Sequence, residues 1–204
     1  MPAVILYEYE PTRSAKCRWA LLEAGIAYES RGNSYSVIGS TELKEVNPLG
    51  KLPAAVIGGK ALFESSAIVT AVADLAPKRH LIGKPGTWER NLHYQWTSFA
   101  LSELEAWAWT AVLNSRTLLL SKEQHVPEIC PQMAFLFKRS ATLLDAELER
   151  SDYLIGNRFS VADIIVGYAA NLGRRCGYLD EGLPNVLRYL QRLFQREHCT
   201  LFQE

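Results

Sequence analysis

Residues Asn47 to Ile68, NPLGKLPAAVIGGKALFESSAI, carry three structural signals in a fixed order and leave the chain little choice of fold. Pro48 and Gly50 stop any helix that precedes them. The apolar run Leu52 to Ile57, the pair Gly58-Gly59 and the run Ala61 to Phe63 then read as two strands joined by a tight hairpin. Pro53 sits at the start of the first strand, where a missing N–H removes no ladder bond, and the Leu52–Pro53 bond in so tight a corner is a candidate for the cis isomer. Glu64-Ser65-Ser66 follow the hairpin and precede an apolar helix from Ala67 to about Leu75. A carboxylate, two hydroxyls and the unpaired N–H groups of a helix start therefore meet beside a sheet edge. Such a place suits a small zwitterion carrying both a carboxylate and an amine.

The elements before this stretch complete a small α/β domain. Val4 to Tyr9 reads as a first, central strand that stops at Pro11. Thr12-Arg13-Ser14 stands where a helix begins, since Ala15 to Ala24 favours helix and Gly25 ends it. Ala27 to Ser30 reads as a second strand and Arg31 to Gly39 as irregular, and Ser40 or Thr41 caps a short helix that Pro48 terminates. The order β-α-β-α-β-β-α is that of a thioredoxin-like domain, an order that by itself fixes no function.

Past residue 76 the composition changes. Pro77, Gly83, Pro85 and Gly86, with the basic Lys78-Arg79-His80, mark a linker over residues 77–87 between a first domain at 1–76 and a second at 88–204. Strand signals largely vanish beyond Thr87. Helices are expected from Trp88 to about Leu113, from Pro127 to about Glu149, from within Asn157 to Ile165, and from Pro184 to about Glu197. Ser160 and Asp163 have the spacing of a capping box. The expected fold class is α/β plus all-α: a thioredoxin-like domain followed by an all-helical one.

Composition narrows the function classes. Lys plus Arg and Asp plus Glu each number 22, so the net charge is zero and no electrostatic footprint for nucleic acid or an anionic membrane is present. No apolar run approaches the roughly 18 residues that cross a bilayer, and the Met-Pro-Ala-Val start lacks the form of a signal peptide, so a cytoplasmic protein is expected. Cys17, Cys130, Cys176 and Cys199 show neither Cys-x-x-Cys nor zinc spacing, and His80, His93, His125 and His198 show no metal spacing, so neither disulfides nor a metal are expected.

The run N-P-L-G-K-L-P, followed by E-S-S-A-I after the hairpin, resembles the glutathione-binding half of the cytosolic glutathione S-transferase family, and the Ser160/Asp163 box resembles one at a buried helix start in the family's helical domain. The resemblance implies that Pro53 is cis, that Leu52 and Pro53 present backbone to the cysteinyl part of glutathione, that Glu64 and Ser65 hold the γ-glutamyl end, and that Lys51 is available for the glycyl carboxylate. It gives Ser160 and Asp163 a structural role, and it implies a homodimer acting in detoxification with glutathione as co-substrate. The second substrate, a small hydrophobic electrophile, would sit between the domains.

Glutathione transfer requires the thiolate, because the thiol is a poor nucleophile. Lowering a thiol pKa of about 8.5 by about two units requires roughly 2.7 kcal/mol of differential stabilisation, within reach of one hydroxyl donor aided by a helix start. The hydroxyls near the first helix start are Tyr7, Tyr9, Thr12 and Ser14. The family's usual Ser or Cys falls at Pro11 or Thr12, a departure from the common pattern, and the Thr-Arg-Ser start resembles members with a hydroxyl-Arg-Ser sequence. Thr12 is the first candidate activator and Ser14 the second, with Arg13 as a ligand contact; a plain helix N-cap is the competing role for either hydroxyl. Cys17, one turn further on, reads as a buried inert thiol. Tyr94, Trp96, Phe99, Trp107 and Trp109 offer rings for an electrophile pocket or for core, and Trp107 and Trp109, two apart, cannot share one helix face. A glutathione-dependent isomerase, lyase or reductase on the same scaffold, and a non-catalytic glutathione-binding module, remain as alternatives.

Overall fold

The computed structural model describes residues 4–10, 12–116 and 120–202. The described residues divide into two compact units, one within residues 4–87 together with 197–202 and the other within residues 88–196.

In the first unit, strands β1 (Val4–Glu8), β2 (Glu29–Gly32), β3 (Ala54–Ile57) and β4 (Lys60–Phe63) form one mixed sheet in the order β2-β1-β3-β4. β1 is parallel to β2 and antiparallel to β3, and β3 is antiparallel to β4. Helices α1 (Ser14–Ala24), α2 (Thr41–Val46) and α3 (Ser65–Leu75) complete the thioredoxin-like unit. Alternation along β1 separates its two faces. Glu8 points to α1, where its carboxylate takes the Arg18 Nε–H at 2.7 Å, while Tyr7 packs with Leu43 of α2 and Ala54 of β3. Gly58 and Gly59 both have positive φ, 55° and 79°, as a two-residue primed turn demands, and they close the Ile57↔Lys60 end of the hairpin.

Three elements differ in extent from their sequence reading. β2 covers Glu29–Gly32 where Ala27 to Ser30 was expected, because pairing with Ile5 through Glu8 of β1, not the local apolar pattern, sets its bounds. α3 begins at Ser65, two residues early. In the second unit, the long helix expected from Trp88 is α4 (Trp88–Phe99), a π-helical stretch over Ala100–Glu105, and α5 (Ala106–Ser115). The buried positions Trp96, Ala100, Leu104 and Ala108 recur every four residues, and the wider i→i+5 turn holds that spacing on one face where a 3.6-residue period would drift.

Helices α6 (Cys130–Glu147), α7 (Val161–Arg175) and α8 (Pro184–Phe194) complete the second unit. Gly173 of α7 lies directly against the fully buried ring of Phe137 on α6: a Cβ there would sit 2.0 Å from Phe137 Cζ. Gly173→Ala is expected to cost about 2 kcal/mol through overpacking, seen as a lower urea midpoint with an unchanged m-value; an unaffected midpoint would show that the α6–α7 contact is loose. Asp145 of α6 takes the backbone N–H groups of Asn185 and Val186 at 2.8 and 2.9 Å and so caps the start of α8. Among the described residues no helix is long and apolar enough to cross a membrane.

Candidate functional site

Strand register assembles the site. Tyr7 pairs with Ala54, and Ala54 with Phe63, so the chain leaving β1, the chain entering β3 and the chain leaving β4 all meet at one end of the sheet. That end therefore gathers Thr12 to Ser14, Leu52 and Pro53, and Glu64 and Ser65. Packing of α1 against α3 tightens the grouping, with the Cys17 thiol 3.6 Å from the Ser65 carbonyl oxygen.

The β1–α1 turn is held by a compact hydroxyl network. The Thr12 hydroxyl donates to the Tyr9 carbonyl at 2.5 Å and lies 2.7 Å from the Ser14 hydroxyl. A hydroxyl has one proton, so with Thr12 Oγ1–H spent on Tyr9 the Ser14 hydroxyl must donate to Thr12. Thr12 Oγ1 also accepts the Ser14 N–H at 3.2 Å, and Ser14 Oγ accepts the Tyr9 N–H at 3.4 Å. Ser14 is fully buried, whereas Thr12 and Arg13 are half-buried. Arg13 occupies the N-cap position of α1 without a side-chain cap, so the cap-like bond is made by Thr12. Pro11 lies outside the described residues.

The tyrosines are engaged elsewhere. The Tyr7 hydroxyl donates to Glu42 Oε1 at 2.9 Å and accepts from Arg31 Nη1 at 3.4 Å, and burial together with Glu42 pushes its pKa above the usual value. The Tyr9 ring packs edge-on against Tyr35, 6.3 Å between centroids. Cys17 is fully buried, and burial pushes its thiol pKa far up despite the opposing charge of neighbouring Lys16, which makes it an inert thiol at neutral pH.

The Leu52–Pro53 peptide is cis. The Leu52 side chain packs on the Tyr7, Leu43 and Ala54 cluster, while among the described residues none hydrogen-bonds its backbone, which is thus open to a ligand. The loop before it is shaped by Asn47, a buried residue that sequence reasoning gave no role: Asn47 Nδ2 donates to the Lys51 carbonyl at 2.8 Å, and Asn47 Oδ1 accepts the Leu49 N–H at 3.2 Å. An Asn directly before Pro was the available signal. Lys51 itself is exposed.

Glu64 has φ 71° and ψ 115°, outside the ordinary regions for a side-chain-bearing residue, a conformation that costs roughly 1–3 kcal/mol. Its carboxylate is exposed and does not cap α3, so the first N–H groups of that helix stay available. Ser65, the first residue of α3, is buried. Strain is thus held at the one residue that sets a carboxylate beside a free helix start.

In the second unit the Ser160/Asp163 capping box is present with both reciprocal bonds. Trp107 and Trp109 are each half-buried, and Trp96 is core. Among the described residues no group of three or more His, Cys, Asp or Glu side chains could hold a metal.

Comparison with known proteins agrees with this architecture. The glutathione S-transferase N-terminal domain model matches residues 2–74, and the C-terminal domain model residues 121–197. Glutathione S-transferase GstA of Escherichia coli O157:H7 is 25% identical over 158 residues, which span 74% of this chain and 71% of that protein. Elongation factor 1-gamma 3 of Oryza sativa subsp. japonica is 30% identical over 129 residues, 61% of this chain, and the match spans only 29% of that longer protein. The crystal structure of the theta class glutathione S-transferase from Xanthomonas axonopodis pv. citri with glutathione bound superposes with a TM-score of 0.81 over 97% of this chain and 95% of that one, at 23% identity, a likeness of fold. With a family model on each half of the chain and the matching fold throughout, the protein belongs to the glutathione S-transferase family.

Proposed function

We propose that this chain is a glutathione transferase that binds glutathione at the sheet end of its first unit and activates the thiol for attack on a small hydrophobic electrophile. The observation that carries the proposal is the convergence, at that one end, of an open Leu52 backbone before cis Pro53, a strained Glu64 at an uncapped helix start, and the Thr12 hydroxyl. Leu52 would pair with the cysteinyl backbone. Glu64 and Ser65 would hold the γ-glutamyl amine and carboxylate, Lys51 the glycyl carboxylate, and Arg13 a further ligand contact.

Thr12 is the thiol activator in this reading and Ser14 a positioning residue. Turning the Thr12 proton from the Tyr9 carbonyl to the thiolate leaves that carbonyl satisfied by the Thr12 N–H at 3.0 Å, so the exchange orphans nothing. Ser14 continues to donate to Thr12 Oγ1 and polarises its O–H toward the ligand. The residues 1–76 are proposed as the glutathione-binding domain and 88–204 as the helical domain of a homodimer, with no metal.

Binding is tested by calorimetry with glutathione. Glu64→Gln is expected to weaken binding by about tenfold, through loss of a charge-assisted contact to the γ-glutamyl amine, while leaving the unfolding midpoint unchanged. Unchanged affinity would remove Glu64 from the site.

A second reading rests on the same hydroxyl network. Both side-chain protons are committed internally, to Tyr9 and to Thr12, and kinship of this kind extends to proteins named elongation factor 1-gamma. On that reading the chain binds glutathione or a partner without activating a thiol. Isomerase, lyase or reductase chemistry would use the same thiolate and is distinguished by substrate screening alone.

A further inference from the structure

In the helical unit, residues 148–157 and one face of α8 line a half-open surface cavity of about 280 Å³. Its lining is polar apart from Leu148: Arg150, Arg188 and Arg192 supply three guanidinium groups, against the carboxylates of Glu149 and Asp152. Asn185, Arg188 and Arg192 follow one another at spacings of three and four, so they form one stripe of α8.

Two of the three arginines are held in place. Arg192 is clamped by the Asp152 carboxylate at 2.5 Å and donates to the Asp152 carbonyl at 3.1 Å, with its guanidinium 5.9 Å from the centre of the Tyr153 ring. Asp152 is fixed in turn, its N–H donating to Asn157 Oδ1 at 2.6 Å. Arg188 Nη2 donates to the Asn185 side-chain oxygen, a neutral acceptor. Arg150 has no partner among the described residues. The charge of Arg192 is therefore answered by Asp152, while Arg150 from residues 148–157 and Arg188 from α8 set two further positive charges against the single remaining carboxylate, Glu149, so the lining carries one positive charge in excess.

We propose that this cavity is a second ligand site that takes a small phosphate monoester, its phosphoryl group between Arg150 and Arg188. Planar guanidinium forks match phosphate oxygens two at a time, and the polar lining gives an apolar ligand nothing to bury. The volume accommodates more than inorganic phosphate, which points to a phosphorylated small molecule.

The test uses the intact protein and inorganic phosphate, followed by amide chemical shifts in a buffer of constant ionic strength set with chloride. The expected result is saturable shifts confined to residues around 148–157 and 185–192. Arg150→Gln and Arg188→Gln should each weaken phosphate about tenfold or more, and Glu149→Gln should tighten it. Glutathione binding should be unchanged in all three variants. Shifts that are non-saturable, that chloride reproduces, or that survive Arg150→Gln/Arg188→Gln would overturn the site. Tighter binding of succinate than of phosphate would overturn the ligand class.

Discussion

Replacing Asp163 by alanine is expected to lower stability by about 4 kcal/mol, the largest loss foreseen for any single change in this chain. Its fully buried carboxylate accepts four hydrogen bonds: from the Leu154 N–H at 3.1 Å, the Ser160 N–H at 2.8 Å, the Ser160 hydroxyl at 2.9 Å and the Tyr189 hydroxyl at 3.0 Å. Alanine orphans those donors in a site closed to water, at about 1–3 kcal/mol for each that finds no new partner. Asp163→Asn keeps the shape but offers one acceptor oxygen and turns an NH₂ toward donors, so it is expected to recover only part of the loss. Urea unfolding measures both, and a change below about 1 kcal/mol for alanine would show that the box is dispensable.

The same carboxyl gives a pH signature. Burial raises its pKa to about 6 from the ordinary 3.8, against the pull of its four donors. A carboxyl whose folded pKa lies above its unfolded value is protonated first in the native state, so its contribution is fully present below pH 4 and is lost as pH rises through 6. The stability difference between the wild type and Asp163→Ala should therefore be about 1 kcal/mol larger at pH 5 than at pH 7. A difference that shrinks on acidification would mean that the native carboxylate is stabilised by its donors beyond the cost of burial.

The largest effect on chemistry is expected at Thr12. If its hydroxyl lowers the bound thiol pKa by about two units, Thr12→Ala should reduce turnover at pH 6.5 by about 30- to 100-fold, because the thiolate fraction falls by that factor. The deficit in turnover at saturating glutathione should close toward pH 9, where the thiol ionises without help. Glutathione affinity should change by less than about threefold at pH 6.5, where about half of the bound thiol is ionised, and by roughly tens of fold near pH 9, where the lost thiolate contact is felt as lost binding. Thr12→Ser should retain most activity. Ser14→Ala should cost less turnover, about tenfold, and some stability, because Ser14 Oγ also accepts the Tyr9 N–H. A Thr12→Ala enzyme with full turnover at pH 6.5 would leave the thiol activated by another group.

Local chemistry explains what could be read from sequence. The hairpin, the Pro53 corner and the Ser160/Asp163 box were all legible because each is set by residues within a few positions of one another: paired glycines, a proline at a strand start, a hydroxyl and an acid three apart. Elements fixed by distant partners were read less well. β2 shifted because β1 selects its register, and the π-helical stretch in the second unit answers a packing phase across a whole helix rather than any residue pattern. The Asn47-Pro48 pair marks a turn in the sequence, but the bond from Asn47 to the Lys51 carbonyl four residues on exists only once the loop is closed. At the β1–α1 turn the sequence puts Thr12 and Ser14 at one helix start, and the structure joins their hydroxyls in one network. Their division of labour depends on which is buried and where each single proton points, and only three-dimensional geometry sets that.

The central claim, an activated glutathione thiol, is tested most directly by the ultraviolet thiolate absorbance of glutathione bound to the protein, titrated from pH 5 to 9. The account predicts a bound thiol pKa near 6.5, about two units below that of the free thiol, and its return toward 8.5 in Thr12→Ala. Saturable glutathione binding with an unshifted thiol pKa would contradict it and leave the protein a glutathione-binding module.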